Sequence, residues 1–286
     1  MRVSPDPADV VELTPDWTGE RLPDGRPHVP DAILARLRAA TTEQAWSVLR
    51  DAGYHRQFSG GWLQTHPGTP LVGRALTCQF LPHRPDLDAV VVAAGAREGH
   101  REPDKQNSWV ISLLQQGDVM VTDIFGKIAD GTVIGDNLGT AIAVRTGVGA
   151  VIDGGVRDLA GLQELDGVNF FCRGTDPTAI ADVVLAGVNF PVRIGPATVL
   201  PGDVVLGTPT GVVFIPAHLA QRVADAAQDV SIRDEYGKGA ITDGSFSSAQ
   251  IDDEPWADHI ELAYQAWLSQ RTATQQSAAQ QSGATR

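Results

Sequence analysis

Cysteine is scarce: the 286 residues contain only Cys78 and Cys172, too few for a disulfide framework or a four-cysteine zinc site. Reduced thiols in a cytoplasm are the simplest expectation. Histidine is thinly spread, and none of the seven lies within four residues of another, which disfavours a zinc centre of clustered histidines. Positive charge is also short. Lys and Arg number 22 against 35 Asp and Glu, a formal charge of −13. No basic block is available to release counterions from nucleic acid or to hold an anionic membrane surface. No apolar run approaches the ~18 residues of a membrane span; the densest, Val90–Ala96, is seven long and broken by Gly95. Met1–Trp17 holds no signal-peptide core. The expectation is a cytoplasmic protein with neither nucleic acid nor membrane as partner. The Walker-type loop, G-x-G-x-x-G, His-Glu-x-x-His and Gly-x-Ser-x-Gly are all missing.

What is present begins with prolines. Six fall within residues 1–30 (Pro5, Pro7, Pro15, Pro23, Pro27 and Pro30), a composition suited to an extended arm. Residues 31–52 carry helical spacing, with Thr41 or Thr42 as a cap and Gly53 as the stop. Leu71–Leu81 reads as a strand. Ala89–Ala94, Val119–Ile124, Ala150–Asp153, Asn169–Cys172 and Val188–Ile194 also read as strands, most too uniformly apolar for one wet face. Asn137–Thr146 and Asp158–Leu165 read as helices between them. Asp203–Leu206 and Gly211–Ile215 are short strands, and Ala217–Val230 is an amphipathic helix. Trp256, Ile260, Ala263 and Trp267 mark a last helical stripe. The tail from Arg271 has no apolar anchor, so disorder is expected there. Alternating strands and helices make α/β layering the expected architecture.

Chemistry concentrates between Gly117 and Asp158. Gly135-Asp136-Asn137-Leu138 opens the helix Asn137–Thr146, where free backbone N–H groups beside a glycine can cradle a small carboxylate. A plain N-cap by Asp136 or Asn137 explains the same residues. Arg157-Asp158 follows a strand through a glycine pair, at a strand-to-helix turn of the kind that holds ligands in open α/β sheets. A guanidinium there can grip a carboxylate or ketone oxygen in a fork, and the adjacent acid can ligate a hard cation. The alternative is Asp158 as N-cap and Arg157 in a surface pair. Cys172, on a strand, reads as a small buried hydrophobe.

The run GDVMVTDIFGKIADGTVIGDNLGTAIAVRTGVGAVIDGGVRDLAGL closely resembles the class II 4-hydroxy-4-methyl-2-oxoglutarate aldolases, whose superfamily also includes the regulator of ribonuclease activity A. The similarity continues through FFCRGTDPTA, VNFPVRIGPATVLPGDVVLGTPTGVVFIPAHLAQRV and, more faintly, IRDEYGKGAITDG, with GRALTCQF upstream. It covers about residues 32–245. The segment SSAQIDDEPWADHIELAYQAWL looks like that of a longer subgroup.

The resemblance implies a layered β/β/α fold of the phosphohistidine-domain-like swivelling type, with helical extensions at both ends. Residues 1–30 would then form the arm, 31–245 the catalytic domain, 246–270 a helical extension and 271–286 a disordered tail. It also implies a lyase that cleaves a C–C bond of a 2-oxo acid through a metal-stabilised enolate, by retro-aldol reaction giving pyruvate or by oxaloacetate decarboxylation. By the same resemblance Asp158 binds Mg²⁺ or Mn²⁺, Arg157 binds substrate and stabilises charge, and Gly135, Asp136, Asn137 and Leu138 cradle the carboxylate. Asp136 holds a metal-bound water. Glu235 matches a glutamate donated by a neighbouring subunit, in trimers or hexamers whose clefts are shared. Lys127 is not needed as a Schiff base. Thr208-Pro209-Thr210 departs from the family's acidic turn. Two other roles fit the resemblance: a non-catalytic protein-binding regulator of a ribonuclease, and a related metal–enolate enzyme on a specialised metabolite.

Overall fold

Apolar segments with no wet face become strands covered on both sides, and most of the chain is arranged around them. In a computed structural model, which describes residues 1–102 and 105–283, the chain divides into two units, Met1–Ala227 and Gln228–Arg286. The first unit opens with helices α1 (Pro7–Leu13), α2 (Asp31–Leu37) and α3 (Thr42–Asp51). Next come β1 (Phe58–Ser59), β2 (Leu63–Gln64), β3 (Leu71–Pro82), α4 (Pro85–Arg97), α5 (Gln106–Leu113) and β4 (Asp118–Asp123). The central stretch holds β5 (Thr132–Ile134), α6 (Asp136–Thr146), β6 (Gly149–Val156), α7 (Leu159–Gln163) and β7 (Asn169–Thr175). Five strands follow: β8 (Val183–Val188), β9 (Val192–Ile194), β10 (Ala197–Val199), β11 (Val204–Thr208) and β12 (Gly211–Ile215). Helix α8 (Ala220–Thr242) runs across the boundary between the units.

The main sheet runs β1-β12-β11-β3-β4-β6-β7-β2, with β5 on β6 and β8 on β3. β3, β4, β6 and β7 are parallel neighbours, whereas β11 and β12 join antiparallel. β1 and β2 are three residues apart in sequence, yet they pair with β12 and β7 at opposite ends of this path. One short segment therefore ties the two edges together. Arg173 secures that closure from β7: its guanidinium donates to Ser59 Oγ at 2.8 Å and to the Gly60 carbonyl at 2.6 Å.

Strand alternation splits the core in two. Val119, Val121, Val151 and Phe171 face the β9–β10 hairpin, while Met120, Ile152, Phe170 and Cys172 face α4–α7. A third cluster packs Leu34, Leu37, Ala45 and Leu49 against Val213, Ile215 and Val223. Cys172 is the buried hydrophobe expected, and burial pushes its thiol up to about 11.

Several elements differ from expectation. Ala89–Ala94 is not a strand but the middle of α4, entered through Pro85 with Asp86 and Asp88 in the first turn. A short apolar run has no period that separates helix from strand, and Val91 and Ala94, three apart, make the buried face. Val188–Ile194 is two strands, β8 and β9, because Asn189 turns left-handed at φ 58°. α5 had no counterpart in the sequence reading. The arm is more ordered than an extended strap: α1 carries an Asp6/Asp9 capping box, and Arg26 is fully buried, bonded to both oxygens of Asp118 at 3.0 and 2.9 Å.

The second unit is helical. It contains the end of α8, α9 (Ser248–Asp252) and α10 (Asp258–Gly283). Tyr236, Ala240, Ile260 and Tyr264 form its core, with Trp256 and Trp267 packed against them. Those contacts explain why α8 continues past Val230, and they place the division at Ala227/Gln228 rather than after residue 245. α10 continues as helix through Gly283 instead of ending near residue 270; residues 284–286 lie outside the described residues.

Candidate active site

Two strand-to-helix turns lie side by side. β5 ends at Ile134, Gly135 follows and α6 begins at Asp136; β6 ends at Val156, Arg157 and Asp158 follow, and α7 begins at Leu159. The strands are parallel, with Ile134 opposite Val156, and the Arg157 amide donates to the Ile134 carbonyl at 3.0 Å. Both turns therefore open at the carboxyl ends of parallel strands, where open sheets collect ligands.

Gly135 is where they meet. A Cβ built there would collide with Asp158 Oδ2 and come within 3.0 Å of Arg157 Nε. Only a bare backbone lets the two side chains close over the start of α6. Asp158 sits at φ 52°, ψ 44°, a left-handed conformation for a non-glycine residue. Such strain costs about 1–3 kcal/mol and gathers at functional sites. Arg157 Nε stands 3.7 Å from Asp158 Oδ2, and both side chains are more than two-fifths exposed (43% and 45%). They are held in place while remaining open to solvent.

Asp136 is placed by α7: a Cβ on Gly161 would stand 2.7 Å from Asp136 Cβ and 3.1 Å from its Oδ2. Gly139 brings α6 equally close to Leu162 of α7. The sequence reading passed over both glycines. Their signal was visible, since a glycine inside a helix is costly and, when kept, points to close packing.

The structure brings Gly135, Asp136, Arg157 and Asp158 together. Asn137 and Leu138 occupy the first turn of α6, where amides have no partner within the helix. The Asn137 amide is already met by Asp136 Oδ1 at 2.7 Å. Leu138 packs its side chain against the helix-covered core. Glu235 lies in the second unit, where its Oε2 accepts from Arg271 at 2.8 Å.

Among the described residues there is no group of three or more His, Cys, Asp or Glu side chains able to hold a metal. The donor set still fits one kind of ion. Mg²⁺ binds through one or two carboxylates and keeps several waters. Asp158 offers an exposed carboxylate over the bare Gly135, and Asp136 opens the helix that follows that glycine. A cation needing several soft or imidazole ligands has none here. Among the described residues, no helix is long and apolar enough to cross a membrane.

This constellation coincides with a family match. Residues 28–214 match the family model described as RraA-like, Aldolase/RraA, and the chain belongs to that family. A protein of Halalkalibacterium halodurans named "Putative 4-hydroxy-4-methyl-2-oxoglutarate aldolase" is 33% identical over 128 residues, 44% of this chain and 60% of that protein. Protein DlpA of Legionella pneumophila is 30% identical over 206 residues, 69% of this chain but 31% of its own length. The chain thus spans less than two thirds of either relative. The crystal structure of Streptomyces coelicolor RraAS2, titled an unusual member of the RNase ES inhibitor RraA protein family, superposes with a TM-score of 0.64 at 27% identity. That likeness covers 75% of this chain and all of RraAS2.

Proposed function

We propose that this protein is a divalent-metal-dependent lyase that breaks a carbon–carbon bond of a 2-oxo acid, releasing pyruvate from a 4-hydroxy-2-oxo acid or carbon dioxide from oxaloacetate. The observation that carries the reading is the closure of Arg157 and Asp158 over Gly135. Asp158 would hold Mg²⁺ or Mn²⁺, which would supply Lewis-acid stabilisation of the developing negative charge. The chain's own groups do the rest. Arg157 grips the substrate oxygens in a fork and stabilises negative charge as the bond breaks. Beside Gly135, the opening amide of Leu138 orients the carboxylate, joined by that of Asn137 when Asp136 Oδ1 releases it. Asp136 accepts the proton of the 4-hydroxyl through a water, so that C4 becomes a carbonyl as the C3–C4 bond cleaves, and returns a proton through the same water to C3, which completes pyruvate. Glu235, contributed by a neighbouring subunit of a trimer or hexamer, completes the proton relay; light scattering on the purified protein tests the assembly.

The test is pyruvate release from a panel of 4-hydroxy-2-oxo acids and from oxaloacetate, with Mg²⁺ or Mn²⁺ and after chelation. Turnover is expected only with metal, and activity that survives complete metal removal refutes the mechanism. A second reading, a non-catalytic regulator that docks on a basic ribonuclease, draws on the charge of −13. It leaves the Gly135 closure without a purpose. Capture of a ribonuclease by a chain that binds no metal and turns over no 2-oxo acid would favour it.

A further inference from the structure

The first unit encloses a cavity of about 220 Å³ that shares no lining residue with the site described above. Trp17, from the segment after α1, and Leu200 give it apolar walls; Tyr54, His218 and Asp203 supply a polar edge, and Asp16 stands at the rim. Among the described residues, no lysine or arginine lines it. Tyr54 Oη and His218 Nε2 are 3.5 Å apart.

Asp203 is the group that calls for an explanation. It is 4% exposed, and its carboxyl accepts the amides of Leu200, at 2.8 Å, and of Ala217. Among the described residues no charged side chain stands against it, and burial pushes it up to about 7. A buried carboxylate without a counter-ion is costly, and Asp203 is among the residues that line the cavity. The faces of Trp17 and Tyr54 are the kind of surface that attracts a positive charge. A cavity of about 150 Å³ holds benzene, so this one admits a single ring with a short chain.

We propose that this cavity binds a small organic ammonium ion, a primary amine on an apolar body of about one ring, with the ammonium paired to Asp203 and the body between Trp17 and Leu200. The charge balance selects the ligand: an acid would meet Asp16 and Asp203 with no cation to receive it.

Calorimetry on the full chain at about pH 8 tests this with three probes of one shape. These are phenethylamine, 2-phenylethanol and phenylacetate. The amine is expected to bind at least tenfold more tightly than the alcohol, and the acid not measurably. Asp203→Asn should remove the preference for the amine over the alcohol. Should that variant not fold, Trp17→Ala, at a partly buried position, should weaken the amine at least tenfold. Equal binding of amine and alcohol, tighter binding of the acid, or no binding by any of the three overturns the proposal.

Discussion

A methyl group at position 135 would press on the Asp158 carboxylate and stand 3.0 Å from Arg157 Nε, although the backbone there, at φ −118°, is open to alanine. Gly135→Ala is therefore expected to fold normally and to lower pyruvate release by about a hundredfold, the scale of a misplaced catalytic group. Matching melting curves beside the lost rate would bear this out; an unimpaired rate would remove Gly135 from the site. Asp203 gives a prediction in pH. Its native carboxyl, raised to about 7 by burial, keeps a proton that the unfolded chain loses near pH 4. Its contribution to stability is therefore full below about pH 4 and is lost as pH rises through about 7. Between about pH 5 and pH 8, unfolding free energies from urea titration should move in favour of Asp203→Asn by about 1 kcal/mol or more relative to the native chain. Parallel profiles would contradict it. At this scale the sequence displayed the acids and the arginine but not their nearness, because Gly135 and Arg157 meet only through the pairing of β5 with β6.

Helices α6 and α7 hold the site between them, and their contact runs through Gly139 and Gly161. Gly139→Ala would drive a methyl into Leu162, and such overpacking typically costs about 1–3 kcal/mol. Gly161→Ala would press instead on Asp136. It should alter the pH profile of kcat while leaving the melting temperature within a few degrees, and an unchanged profile would mean that Asp136 takes no part in proton transfer. Elements with clear boundary chemistry were legible. Thr41 caps α3 in a capping box with Gln44, and Gly147 ends α6 in the left-handed conformation. Ala89–Ala94 was misread because alanine and valine in a short run carry no period, and the decisive signals, Pro85 with its first-turn acids, lie outside it. α5 packs Trp109, Val110 and Ile111 inward; three consecutive buried residues give no amphipathic stripe to read.

Across the whole chain, the N-terminal arm is an anchored part of the first unit. Arg26 and Asp118 are both fully buried, and burial opposes the charge of each while their pairing sustains it. Removing one partner of such a pair costs about 3–5 kcal/mol, whereas an apolar pair of similar volume can be nearly neutral. Arg26→Met should lower the urea midpoint sharply, and adding Asp118→Leu should recover much of the loss; a mild single variant would show that the arm is only draped on the sheet. This anchor was invisible in sequence, since the two residues stand 92 positions apart. The α/β class and the signature turns were visible because uniform apolar runs and glycine–acid turns are local. The claim that Asp158 seats the catalytic cation beside Arg157 is tested most directly by one comparison: pyruvate release from a 4-hydroxy-2-oxo acid by the native chain and by Asp158→Asn, each titrated with Mg²⁺. The native rate should rise to saturation with metal while the variant stays at background at every concentration; matching curves for the two would contradict the account.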